Sequence, residues 1–184
     1  NLALIASLRG DPVLAERHAA EALEISRRIA FTWGAALSLN RQGLIALWDG
    51  ESERAVVRLQ ASLPLWEAAG ERWRIALTLS HLADVAVAAG HVERGAQLLG
   101  SADALGEQLA VSSALTDNEG WHRARRVLSE QLDPETLARL WGAGHALTWD
   151  AMLAAATAPF PFEESSTSST VEAPAGSLLS PRES

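Results

Sequence analysis

Two similar stretches decide the fold: LSLNRQGLIALWDGESERAVVRL at residues 37–59 and LTLSHLADVAVAAGHVERGAQLL at residues 77–99. Each contains an Ala/Leu-rich apolar run, a polar break at Gly50 or Gly90, and then the start of a second amphipathic run. Gly10 precedes Gly50 by the same interval that separates Gly50 from Gly90. Because glycine commonly follows the last turn of a helix, this even spacing predicts three helical hairpins of equal length.

Positions around the three glycines agree in side-chain size. The residues at three offsets from each glycine are small: seven before it (Ala3, Gly43, Ala83), five after it (Ala15, Ala55, Gly95) and twelve after it (Ala22, Ser62, Ala102). The residue nine after each glycine is apolar (Ala19, Leu59, Leu99). Small residues at matched places allow helix backbones to approach closely.

This pattern resembles the tetratricopeptide repeat. The resemblance implies an all-α, right-handed superhelical stack of antiparallel hairpins. The period here is about 40 residues and the usual one is about 34 residues, so the helices should be longer than usual and the repeat degenerate. An ordinary bundle whose hairpins match in length is the alternative.

Capping signals and apolar periodicity predict the individual helices. The predicted repeat helices run from Pro12 to about Ile29, Thr32 to Trp48, Ser52 to Ala69, Arg72 to Ala89, and Val92 to about Leu109. A helical cap should follow, with one helix from a Thr116/Glu119 capping box to about Leu132, one from Pro134 that ends at Gly142 and Gly144, and one over residues 149–158. Pro64 should kink or break its helix.

The composition excludes several classes of protein. The chain has 184 residues, of which 48% are hydrophobic, so it can form one domain with a sizeable core. The absence of cysteine excludes a disulfide scaffold, a thiol nucleophile and a Cys-ligated zinc, and it fits a cytoplasmic location. No apolar run is long enough to cross a membrane. The net charge of −8 is unfavourable for nucleic-acid contact by residues 1–158, because phosphate binding needs a basic face.

The character of the sequence changes at Pro159. A segment rich in Pro, Ser and Thr follows, and such segments bury too little apolar area to offset their ordering entropy. We therefore predict a repeat domain with its cap over residues 1–158, a flexible linker over residues 159–177, and the start of another domain over residues 178–184. Since the chain begins inside an apolar helical run without Met, we expect it to be part of a longer protein.

Two segments together resemble large bacterial LuxR-type transcription regulators. Residues 95–158, with QLLGSADAL at 97–105 and WGAGHALTWDAML at 141–153, resemble the C-terminal part of their helical region. LSPRE at residues 179–183 is similar to the opening of their helix-turn-helix domain. The resemblance implies a sensor and coupling module of a signal-transducing ATPase of the STAND class, which binds an effector or protein partner and controls an adjacent DNA-binding domain. ATP would bind upstream, because no Gly-x-x-x-x-Gly-Lys motif is present. A stand-alone interaction scaffold, or a regulatory arm of another ATPase or cyclase, is the alternative.

The sequence predicts a binding groove rather than an active site. The five histidines form no i, i+3 or i, i+4 pair, and no Gly-x-Ser-x-Gly motif occurs, so we predict no catalytic residues, no metal and no cofactor in these residues. The first helices of the second and third hairpins hold, at equivalent places one period apart, Asn40 and Ser80, Arg41 and His81, and Leu44 and Asp84. These residues contact a ligand or partner in a groove, or they form the edge of a solvent-exposed face. Most of the seven tryptophans should pack between hairpins, with an aromatic ligand pocket as the alternative.

Overall fold

The computed structural model describes residues 11–111, 115 and 118–162, and in this part the chain is all-helical with no strand. Its helices are α1 (Pro12–Arg28), α2 (Thr32–Trp48), α3 (Ser52–Ala68), α4 (Arg72–Ala88), α5 (Val92–Gln108), α6 (Glu119–Gln131), α7 (Pro134–His145) and α8 (Trp149–Thr157). The all-α class is thus confirmed for the described residues. The predictions for residues 1–10, for most of the linker and for residues 178–184 lie outside them, and so does Thr116 itself. The helix predicted to start from a Thr116/Glu119 capping box begins at Glu119, and its N-cap is Asn118, so the predicted capping box is wrong.

The first five helices have equal lengths of 17 residues, and their first residues are evenly spaced along the chain. Their bounds agree with the predicted ones to within one residue. Pro64 lies inside α3, and the helix continues past it to Ala68. Pro64 therefore does not break the helix. None of the helices in the described part combines the length and the apolar character that a bilayer crossing requires.

The same turn ends each of these five helices. A residue with positive φ follows each helix: Ala30 (52°), Gly50 (78°), Gly70 (72°), Gly90 (84°) and Ala110 (54°). The next amide then donates to a carbonyl five residues earlier, in the pairs Phe31 to Ser26, Glu51 to Ala46, Glu71 to Trp66, His91 to Ala86, and Val111 to Gly106. This is the Schellman motif. The turn therefore recurs once per helix, and two of its five left-handed positions are alanines that a search for glycine does not detect.

The two kinds of residue in this turn allow a paired test. A Cβ at Gly70 would meet no atom within 4 Å, so the Gly70→Ala change adds only the left-handed strain of about 1–2 kcal/mol. We expect it to lower the free energy of unfolding by about 1 kcal/mol, and Ala30→Gly to raise it by up to about 1 kcal/mol. Urea unfolding followed by circular dichroism measures both changes. Effects of the same sign in both variants would contradict this description of the turn.

Close contacts between a glycine of one helix and a side chain of the other hold each hairpin together. α2 packs most extensively on α3, and α4 on α5. A Cβ at Gly43 of α2 would lie 2.7 Å from Leu59 Cγ, and one at Gly95 of α5 would lie 2.5 Å from Val87 Cγ2. Both glycines belong to the predicted small positions, which are buried wherever they are described except at Ala22, which is exposed. The glycine lies on the first helix of the α2–α3 hairpin and on the second helix of the α4–α5 hairpin. Either helix of a hairpin can therefore provide the position that has no side chain.

The helices after α5 do not repeat the hairpin arrangement. α6 packs on α4 and α5, whereas α7 packs on α5 and barely contacts α6. α7 also continues through Gly142 and Gly144 to His145, so the predicted end at these glycines is wrong. The reason is a helix crossing: a Cβ at Gly144 would lie 1.9 Å from the carbonyl oxygen of Gln97. Gly144 therefore allows α7 to contact the backbone of α5, and its carbonyl accepts a hydrogen bond of 2.9 Å from Ser101 Oγ.

The chain stays packed for a short distance beyond the predicted domain boundary. Phe160 is 8% exposed and its ring stacks with that of Phe162 at 6.0 Å. The Arg94 guanidinium lies 3.5 Å from the centroid of the Phe160 ring. It also donates to the carbonyl oxygens of Ala155, Ala158 and Pro159 at the end of α8. Residues 159–162 therefore belong to the helical domain rather than to a flexible linker, because two aromatic side chains attach them to it.

Candidate ligand-binding cleft

A cleft of about 280 Å³, here called the arginine cleft, lies between α2, α4 and the start of α6. Its wall on α2 consists of Asn40, Arg41, Leu44, Leu47 and Trp48. α4 contributes Arg74, Leu77, His81 and Asp84, and the third wall consists of Asn118, Glu119, Gly120 and Arg123. The cleft thus spans three elements that are distant in sequence.

The structure brings five of the six predicted groove residues together in this cleft: Asn40, Arg41, Leu44, His81 and Asp84. Ser80 does not line it; that side chain is buried, and its Oγ has no hydrogen-bond partner among the described residues. Asn40, Ser80, His81 and Asp84 are all buried, so these four do not form a solvent-exposed edge. Asn40 Nδ2 donates to Thr78 Oγ1 at 3.0 Å, which ties α2 to α4 at the base of the cleft.

Two half-buried arginines dominate the electrostatics. The Nε atoms of Arg41 and Arg74 are buried, and within the described residues neither has a hydrogen-bond partner. Burial lowers the pKa of both guanidinium groups, and the charge of Arg41 lowers the pKa of Arg74 further. Both groups nevertheless stay charged at neutral pH, because arginine deprotonates only in strong alkali. The cleft therefore holds two positive charges from which water is partly excluded.

Aromatic rings support one of these arginines. The Arg74 guanidinium lies 3.9 Å from the centroid of the Trp73 ring and 5.6 Å from those of Trp33 and Trp66. Glu71 accepts hydrogen bonds from Trp33 Nε1 at 3.1 Å and from Trp73 Nε1 at 2.7 Å. Since cations are attracted to the faces of aromatic rings, the tryptophans hold the charged end of Arg74 in place.

His81 is a neutral side chain inside this cationic wall. Asn118 Oδ1 accepts a hydrogen bond from Gly120 N at 2.8 Å, so the Asn118 amide nitrogen is the atom that faces His81 Nε2 at 3.0 Å. That nitrogen donates, and the ring proton of His81 is therefore on Nδ1. Burial, together with the charges of Arg41 and Arg74, lowers the pKa of His81 to about 3.

The depressed pKa of His81 predicts an acid-sensitive fold. As the pH falls below about 6.5, the unfolded chain takes up a proton that the folded chain does not bind until about pH 3. Stability present at neutral pH is therefore lost on acidification, by up to about 2 kcal/mol between pH 7 and pH 5 from this one group. His81→Gln should flatten the decline in urea unfolding measurements across that range, while His122→Gln, at an exposed position, should not. Equal slopes in the wild type and His81→Gln would contradict this assignment.

An ion pair joins α4 to α6 at the other end of the cleft. Arg123 Nε donates to Asp84 Oδ1 at 2.9 Å, and Arg123 Nη2 donates to Asp84 Oδ2. Asp84 is 2% exposed, and burial raises its pKa while the two bonds from Arg123 lower it. The guanidinium thus compensates the buried carboxylate, and Asp84 adds little free negative charge to the cleft.

Eight of the thirteen residues that line the cleft are not predicted from the sequence, and three of these carry its main polar contacts: Arg74, Asn118 and Arg123. The equivalent of Arg74 in the preceding hairpin is Gly34, and α6 lies beyond the repeats, so a comparison of positions one period apart selects none of the three. The available signal for Arg74 is its position at the start of an otherwise apolar helical run, in the sequence RWRIAL.

A group of possible metal ligands lies outside the cleft. Oxygen and nitrogen atoms of Asp103, Glu107 and His145 lie within 4.8 Å of one another, and His145 Nε2 is 3.1 Å from Glu107 Oε2. Glu107 and His145 are exposed. This geometry is that of a surface ion pair, so we assign no metal to it.

No family model, curated protein or solved structure matches the chain. The arginine cleft is therefore the feature from which we infer a function.

Proposed function

We propose that the chain is a helical sensor module that binds an effector or partner in the arginine cleft and controls an adjacent DNA-binding domain of a LuxR-type regulator. The observation that carries this proposal is the cationic wall of the cleft. Arg41 and Arg74 keep buried Nε donors without partners among the described residues, beside apolar side chains. An unpartnered buried donor destabilises a fold by about 1–3 kcal/mol. A fold that bears this cost at two charged groups that line one cleft is typical of a binding site.

The helix arrangement supports a repeat module. Two hairpins, α2 with α3 and α4 with α5, have matching lengths and matching small residues at their crossings. The segments that resemble LuxR-type regulators, residues 97–105 and 141–153, lie on α5 and on α7–α8, and α7 packs closely on α5. We infer a degenerate tetratricopeptide-like stack, in which the first helices of successive hairpins form the binding face.

The cleft is also placed to transmit a signal. A ligand within it would touch α2 and α4, which belong to different hairpins, and the start of α6, which follows the hairpins. Contacts of His81 with Asn118 and of Asp84 with Arg123 tie α6 to α4 on the same wall. A ligand that prefers one relative position of these helices would shift the population toward it, and α6 connects through α7 to the C-terminal part of the chain. We infer no enzymatic role for this module.

A reporter assay with the complete reading frame tests this function. If the proposal is right, the frame continues after Ser184 into a basic helix-turn-helix, and Arg41→Gln alters signal-dependent transcription while the affinity for the target DNA stays unchanged. Arg126→Gln is the matched control, because it removes the same charge from an exposed position on α6. A frame without such a domain, or an Arg41→Gln reporter that behaves like the control, would favour the stand-alone scaffold instead.

A further inference from the structure

We propose that the ligand of the arginine cleft is a small organic anion, whose carboxylate or phosphate group binds between Arg41 and Arg74. Its apolar part then packs against Leu44, Leu47 and Leu77, which line the same cleft. This inference rests on the proposed binding function and specifies the chemical class of the ligand.

The charge balance of the cleft favours an anion. Arg41, Arg74 and Arg123 are the basic groups on its walls, and Asp84 and Glu119 are the acidic ones. Arg123 and Asp84 neutralise each other through two hydrogen bonds, and Glu119 lies with them at the α6 side of the cleft. The nearby Glu71 accepts bonds from two indole N–H groups, which are uncharged, and its negative charge partly offsets the lowering of the pKa of Arg74 by burial and by Arg41. The two charges of Arg41 and Arg74 exceed the single charge of Glu71, so this end of the cleft keeps a net positive charge.

Hydrogen-bonding geometry supports the same ligand class. A guanidinium group presents its donors as a planar fork that matches carboxylate and phosphate oxygens in two-point contacts. The Nε of each arginine is a buried donor with no partner within the described residues. His81 is 4% exposed, and its Nδ1–H is a third buried donor without such a partner. Protein atoms cover these three donors, so an anionic group in the cleft would contact the parts of the two guanidinium groups that line it.

The size of the cleft limits the ligand to a small molecule. Its volume of about 280 Å³ lies near the lower end of the range of about 300–1,000 Å³ that is common for small-molecule pockets. The exposed ring of Trp48 lies at its edge. An alkyl or aryl group with one anionic end fits this combination of leucine wall and arginine pair.

Calorimetric titration with three six-carbon probes tests the inference. Hexanoate and hexyl phosphate should bind the wild type, and their relative affinity distinguishes a carboxylate from a phosphate site. Uncharged hexanamide should bind at least tenfold more weakly. Arg41→Gln and Arg74→Gln should each reduce the affinity for the better anion at least tenfold, whereas Arg126→Gln, which is exposed on α6, should leave it unchanged.

Thermal unfolding separates lost binding from lost folding. Because Arg41 Nε has no partner in the described part of the chain, Arg41→Gln should unfold at or above the wild-type temperature without ligand. Arg74→Gln also loses its contacts with three tryptophan rings, so it should unfold somewhat below the wild-type temperature while still showing a cooperative transition. Inorganic phosphate should raise the unfolding temperature of the wild type more than that of the Arg41→Gln/Arg74→Gln double variant. Failure of both anions to bind, or affinities unchanged in both arginine variants, would overturn the anion assignment. Hexanamide bound as tightly as hexanoate would also overturn it, but would leave the cleft as a binding site and the proposed function standing.

Discussion

Gly144→Ala is expected to lower the free energy of unfolding by about 3 kcal/mol or more, because overpacking at a rigid contact forces elements apart. A Cβ at this position would lie 1.9 Å from the carbonyl oxygen of Gln97 and 2.7 Å from its carbonyl carbon. Both are backbone atoms of α5, so no side-chain rotation relieves the overlap. The packing of α7 on α5 must therefore loosen, and the hydrogen bond from Ser101 to the Gly144 carbonyl must lengthen.

Gly142 provides a matched control on the same helix. A Cβ there would meet no atom within 4 Å. Gly142→Ala should therefore be neutral or stabilising by about 0.5–1 kcal/mol, since alanine is the better helix former. Denaturant unfolding followed by circular dichroism compares the two variants. Equal effects would show that α7 does not contact the α5 backbone at Gly144.

Trp66→Ala is the second change with a large expected effect. Trp66 is 1% exposed, and its ring meets that of Trp33 edge to face at 5.8 Å. Truncation of a buried tryptophan leaves a cavity and typically lowers the free energy of unfolding by about 3–5 kcal/mol. The Arg74 guanidinium lies over both rings, so the variant should also lose order at the cationic wall of the cleft.

Trp48→Ala is the control for this truncation. Trp48 is 54% exposed, and surface substitutions usually change stability by about 0.5 kcal/mol or less. The same denaturant titration measures both variants. A Trp66→Ala protein with nearly wild-type stability would contradict the position of Trp66 in the core between α3, α2 and α4.

Most of the fold could be predicted because its signals are local. Asp11 and Asp133 precede prolines and accept amide hydrogen bonds at the starts of α1 and α7, as the Asp-Pro sequence indicates. Gly50 and Gly90 adopt the left-handed conformation expected after a helix. Where glycine serves packing instead, the same signal misleads: Gly144 has the sequence context of a helix end but lies at a helix crossing.

The cleft could be predicted only in part. Equivalent positions of successive hairpins face the same side of the stack. A comparison of positions one period apart therefore identifies the walls of the cleft that α2 and α4 form. It does not locate Asn118 and Arg123, since α6 belongs to no hairpin that resembles the others. Nor does it indicate that Phe160 is packed, because contact of a short apolar segment with a distant helix leaves no periodic pattern in the sequence.

Nuclear magnetic resonance of the tryptophan indole N–H groups tests the binding role of the arginine cleft most directly. Trp48 lines the cleft, and the rings of Trp33 and Trp73 lie beside Arg74, whereas the indole of Trp149 donates to Glu67 on another face. Once the signals are assigned by Trp→Phe variants, addition of hexyl phosphate should shift those of Trp33, Trp48 and Trp73 and leave that of Trp149 in place. Unchanged signals around the cleft at saturating probe, or a shift confined to Trp149, would contradict a binding site between Arg41 and Arg74.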